Sequence, residues 1–93
     1  MTLHIIKSAK ADSILQILEL ATEDDQILLV EDGCYLYSLA KDKLAEACAS
    51  IFALSDHMQA RGLSDKAKKS GIELIDFKQW VLLTHKHPQS TSW

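Results

Sequence analysis

Four strand-length apolar runs, separated by stretches of helical period, restrict what this chain can fold into more than any other feature. The runs are LHII (Leu3 to Ile6), QILLV (Gln26 to Val30), SIFAL (Ser50 to Leu54) and IELI (Ile72 to Ile75). The second is apolar without alternation, the pattern of a strand covered on both faces. Ile14, Ile17, Leu18 and Ala21 recur at i, i+3, i+4 and i+7 and predict a first helix, with Asp12 or Ser8 as its N-cap. Leu44, Ala47 and Cys48 predict a short second helix from about Lys41. SDHMQARG opens on a capping residue and ends at Gly62, which tolerates the positive φ of a helix C-terminus. Phe77, Trp80, Val81 and Thr84 carry the last helix, capped by Asp76 and stopped by Pro88. Strands alternating with helices predict an α/β fold: a parallel sheet with right-handed crossovers and helices packed on its faces.

Ninety-three residues make one domain, residues 1–93, in which roughly two thirds of the extended chain's surface can be buried. Hydrophobic residues at 47% and charged residues at 25% exclude a disordered chain and a disulfide scaffold. Net charge is −3, and the longest basic block is KAKK, Lys66 to Lys69. Direct nucleic-acid binding is disfavoured, because neutralising phosphates needs a clustered basic surface. MTLHIIKSAKADS is too short in apolar residues for a secretory signal, and no segment approaches a membrane span. The expected compartment is therefore the cytoplasm, with no membrane partner. The two cysteines, Cys34 and Cys48, read as reduced thiols without C-x-x-C or zinc-ligand spacing.

In an open parallel sheet, reactive groups gather at the carboxyl ends of the strands. EDGC, Glu31 to Cys34, falls there, with Gly33 allowing a tight turn after the second strand. Glu31 and Asp32 would raise the Cys34 pKa and oppose thiolate formation. Cys34 is read as a small packing residue, with a sulfur nucleophile as the alternative. Cys48 shares a helical face with Leu44 and is read as core. His85 and His87 are two apart and point about 200° from each other on a helix, which does not suit one metal. A solvated or capping role near the last helix's end is expected for them. Asp24 and Asp25 precede a strand and read as a turn. No phosphate loop, dinucleotide fingerprint or nucleophile elbow is present, so no cofactor, metal or complete catalytic site is expected. The tail ends in Trp93, whose indole either folds back onto the body or meets another chain.

LHIIKS, LLVEDGCY, FALSDHMQARGL and IELIDFKQWVLLTHKHPQSTSW occur in that order along nearly the whole chain. Together they resemble the DsrH/TusB family, the smallest of three related chains in the DsrE/DsrF/DsrH and TusB/TusC/TusD sulfur-relay complexes. The resemblance implies a DsrE-like, three-layer α/β/α fold with a mainly parallel sheet of four or five strands. It also implies a cytoplasmic heterohexamer with TusC-like and TusD-like homologous subunits. In the Tus branch, persulfide sulfur passes from TusA to a cysteine of TusD, then to TusE, and on to thiolation of the tRNA wobble uridine. The Dsr branch serves dissimilatory sulfur oxidation. Some DsrH chains carry a candidate cysteine in the first helix, whereas ILQILELA (Ile14 to Ala21) has none, which favours a structural TusB role. The expectation is an accessory subunit, linked only indirectly to a TusA-like donor and a TusE-like acceptor. It has no catalytic residue of its own, and Trp93, Asp32 and Gly33 are its interface candidates. The alternatives are a persulfide carrier using Cys34 and a subunit of the oxidation branch.

Overall fold

A computed structural model of the chain describes residues 2–39, 49–70, 72–87 and 89–93. Strand β1 (Thr2–Ile6) leads through α1 (Ala11–Leu20) to β2 (Gln26–Leu29). A 3-10 turn (Glu31–Tyr35) and the single-turn α2 (Leu36–Leu39) follow, and then β3 (Ser50–Leu54). Helices α3 (Ser55–Ala60) and α4 (Ser64–Ser70) precede β4 (Glu73–Ile75), and α5 (Phe77–Lys86) returns the chain to β5 (Gln89–Ser92). The sheet order is β4-β3-β2-β1-β5 with every pairing parallel. The fold is α/β, as the alternation of runs predicts.

Handedness decides which helix covers which face. The steps β1 to β2, β2 to β3 and β3 to β4 all move the same way across the sheet, so right-handed crossovers put their helices on one face. The step from β4 back to β5 crosses in the opposite direction and puts α5 on the other. The core divides accordingly. Ile6, Leu29, Ala53 and Leu74 form one register row across four strands. They share a cluster with Ile14 and Ile17 of α1, Leu36 and Tyr37 of α2, Met58 of α3 and Ala67 of α4. Leu3, Ile5, Leu28, Val30, Leu54 and Ile75 form the second cluster, packed by Trp80 and Leu83 of α5. Alternating side chains on β1 to β4 thus feed two cores, which is why the second run reads as apolar without alternation.

Several local expectations are corrected. Helix α1 starts at Ala11 with Lys10 at the N-cap and no side-chain cap. Asp12 lies inside the first turn, where its charge suits the helix dipole, and Ser8 accepts from the Lys10 N–H at 3.2 Å. The helix expected from Lys41, with Leu44, Ala47 and Cys48, lies outside the described residues, as does the helix-stopping Pro88. Before that segment, the described chain forms the 3-10 turn and α2. Helix α4 occupies the KAKK block: Ala67 is buried while Lys66, Lys68 and Lys69 are exposed. One apolar residue carries too little period to be recognised. Strand β5 is QSTS, exposed throughout, and is held by its backbone register with β1.

The ends of α3 and α5 follow expectation. Gly62 has φ +69° beyond α3. Asp76 caps α5 in a reciprocal box: its carboxylate accepts from the Gln79 N–H at 2.8 Å, and the Gln79 side chain accepts from the Asp76 N–H at 3.0 Å. The apolar stripe of α5 is a correction. Trp80 packs on the sheet, but Phe77 and Val81 are 48% and 54% exposed, and Leu82 is 60% exposed.

Candidate functional site

Beyond the carboxyl end of β2, the chain turns at once. The Val30 N–H still donates to the Ile6 carbonyl at 3.0 Å, and the Gly33 N–H donates back to the Val30 carbonyl at 2.9 Å. This seats Gly33 directly on the β1 backbone, where an added Cβ would stand 2.0 Å from the Ile6 carbonyl oxygen. Only glycine fits that approach. The same turn carries Cys34 inward, fully buried among Ile6, Leu29 and their neighbours, with its thiol 3.7 Å from the Leu29 carbonyl oxygen. Burial pushes the Cys34 thiol up to about 11. The positive charge of Arg61 pulls the other way, and Asp32 adds to the rise.

Helix α3, starting at the carboxyl end of the neighbouring strand β3, clasps this turn from outside. Glu31 stands at φ +50°, and its N–H donates to His57 Nδ1 at 2.8 Å. Arg61 donates from Nη2 and Nε to one Asp32 carboxylate oxygen at 3.2 and 3.4 Å, and from Nη1 to the His57 carbonyl at 3.3 Å. The His57 ring meets Phe77 of α5 edge-on at 5.8 Å, and Phe77 lies 5.9 Å from Trp80. Asp32, Gly33 and Cys34 therefore share one turn with His57, Arg61 and Phe77 around it. No sequence spacing links His57 or Arg61 to this place; they lie 26 and 29 residues from their partners.

Trp93, the remaining candidate, sits apart from that turn. Its indole folds back onto the body, partly buried against the α1 side of the core. Its backbone extends the β5 ladder: the Trp93 N–H donates to the Ile5 carbonyl at 2.8 Å, and the Lys7 N–H donates to the Trp93 carbonyl at 3.0 Å. Trp93 Nε1 donates to His4 Nδ1 at 3.4 Å, and His4 Nε2 donates to Asp25 at 3.1 Å. Asp25 also accepts the N–H groups of Thr2 at 2.8 Å and Thr22 at 3.3 Å. Burial alone would raise the Asp25 pKa, but these bonds outweigh it and hold it below the ordinary 3.8. Asp25 follows the turn its sequence suggests, and it also ties β1, β2 and the last residue together. His87 caps α5 as expected of a histidine there, buried, with Nε2 donating to Gln26 Oε1 and Nδ1 without a partner. Burial lowers its pKa from the ordinary 6.5, and Lys86 adds to the fall.

Chemically, this arrangement keeps the Cys34 thiol buried and hard to ionise. Among the described residues, no group of three or more histidine, cysteine or acidic side chains could hold a metal ion, and no helix is long and apolar enough to cross a membrane. The comparisons agree with the architecture. A family model described as "DsrH like protein" matches residues 7–90. Protein TusB of Escherichia coli strain K12 is 34% identical, with 99% of this chain and 97% of that protein covered. Protein TusB of Photorhabdus laumondii is 34% identical over 83% of each chain. The solution NMR structure of Tm0979 from Thermotoga maritima matches with TM-score 0.71 at 25% identity, covering 94% of both chains. BT1422 from Bacteroides thetaiotaomicron matches in fold, with TM-score 0.77 at 14% identity, over 99% of this chain and 94% of that one. A near-complete family match, full-length relatives at this identity and a shared parallel sheet leave one conclusion: the chain belongs to the DsrH-like family that includes the TusB proteins.

Proposed function

We propose that this chain is an accessory subunit of a sulfur-relay complex, assembled with TusC-like and TusD-like homologous chains and carrying no sulfur itself. The observation that carries the reading is the state of Cys34 in a member of this family. A carrier must present a thiolate to its donor, whereas this thiol is fully buried and needs a pH near 11 to ionise. The exposed Phe77, Val81 and Leu82 on α5 supply apolar surface of the kind that assembly covers. Among the two metabolic branches, tRNA wobble thiolation is favoured, because α1 contains no cysteine and the curated relatives are TusB proteins. On this reading the cytoplasm is the site of action, TusA-like and TusE-like proteins act through the partners, and Asp32, Gly33 and Trp93 lie at or near subunit contacts.

The test is transfer of labelled persulfide sulfur through the reconstituted complex. With Cys34→Ser, transfer at matched folded concentration should stay within about twofold of the parent, since the chain contributes shape rather than a nucleophile. The other cysteine, Cys48, lies outside the described residues, so a chain with both cysteines replaced is measured beside it. Loss of transfer from an intact assembly in either variant would make this subunit a carrier.

A further inference from the structure

One residue of the turn is strained. Glu31 is the non-glycine residue at positive φ among those described, a conformation that residues with side chains disfavour unless their surroundings impose it. One contact that acts directly on this residue is the bond from the Glu31 N–H to His57 Nδ1 at 2.8 Å. That bond exists only while Nδ1 keeps its lone pair, so it requires the neutral imidazole with its proton on Nε2. Phe77, packed edge-on against the ring, opposes a flip that would present Nε2 in its place. Behind this contact lies Cys34, the buried thiol in the same turn.

We propose that His57 is an acid-sensitive latch, holding the 31–35 turn closed over Cys34 while neutral and releasing it when protonated. A proton on Nδ1 sets one N–H against another, and this contact with the strained Glu31 is lost. The charged groups nearest the ring on the elements around it are Glu31 and Asp32 of the turn, Asp56 of α3 with Arg61 at its C-cap, and Lys78 of α5 with Asp76 at its N-cap. The Arg61–Asp32 pair does not involve the His57 ring, so it still tethers the turn and the opening stays local. The consequence is a thiol whose accessibility depends on the protonation of a residue 23 positions away in sequence. This inference concerns access to Cys34 and holds in either metabolic branch.

The experiment uses the full chain. In a heteronuclear NMR titration between about pH 8 and about pH 5, the range where histidine changes charge, the Glu31 amide should follow the His57 ring resonances and lose its exchange protection. At fixed neutral pH, alkylation of Cys34 by iodoacetamide is followed peptide by peptide. His57→Ala should raise the Cys34 rate by about tenfold, because local opening then limits access less. His57→Asn, whose amide oxygen can accept the Glu31 N–H, should stay within about twofold of the parent. A folded His57→Ala chain alkylated at the parent rate would overturn the latch. So would a Glu31 amide indifferent to His57 ionisation, a measurement on the unsubstituted chain that stands even if the alanine variant does not fold.

Discussion

At Gly33, a single hydrogen atom decides whether the turn after β2 can close. Its backbone packs on the Ile6 carbonyl so tightly that a Cβ would overlap main chain, which cannot swing aside as a side chain could. Gly33→Ala should cost about 3 kcal/mol, at the upper end of overpacking penalties, measured by urea unfolding; an unchanged midpoint would mean that the turn has another conformation open to it. Two other residues set a dependence on pH. His87 is lowered from 6.5, so as pH falls below that value the unfolded chain takes up a proton that the folded chain resists, and stability declines. Asp25, lowered from 3.8, adds a second loss of the same sign below that value. Denaturant midpoints at about pH 7.5 and about pH 5 should therefore differ, with the lower pH less stable, and His87→Gln should flatten that first decline. Equal midpoints in the parent at the two pH values would contradict the assignment.

Among the elements, β5 has the weakest local signal and the strongest dependence on a neighbour. Its four residues are polar and exposed, so it is fixed by its backbone bonds to β1 and by Trp93 at its end. Trp93→Ala removes the indole packed on the α1 side and its bond to His4; for a partly buried tryptophan this should cost about 2 kcal/mol. Amide exchange on β5 should rise more than on β2 and β3, and a uniform change across the sheet would count against such a local role. The contrast explains what was legible in the sequence. Strands β1 to β4 announce themselves because their apolar residues feed cores on both faces, whereas QSTS carries no apolar mark. The period that reveals α5 identifies a helix but not its inner side: Trp80 faces the sheet, while Phe77 and Val81 face outward. EDGC was readable as a turn at a strand's end. The His57 bond, the Arg61 pair and the His4–Asp25–Trp93 chain join residues at least 21 positions apart, and no spacing rule signals them.

On the scale of the whole molecule, among the described residues, α1 to α4 share one face of the sheet and α5 covers the other. One helix cannot both bury its inner stripe and supply a fully polar exterior when its residues are Phe77, Val81 and Leu82. The isolated chain should self-associate, and Val81→Lys with Leu82→Lys should restore a monomer in size-exclusion chromatography with the melting temperature within about 3 °C of the parent, as for exposed positions. Co-expression with the two homologous chains should give an equimolar complex that the double lysine variant weakens; a parent that stays monomeric and ignores both partners would remove the support for assembly through α5.

Parallel pairing of β1 with β5 also governs how the fold answers to mechanical load. The two strands lie side by side and run in the same direction, so tension applied between Thr2 and Ser92 drags them past each other lengthwise. The bonds between them then bear the load together, in shear, instead of parting one after another as in a peeled hairpin. A force probe or an unfoldase gripping either end meets a bolt rather than a zip, and rupture of this one seam sets the force at which the sheet comes apart.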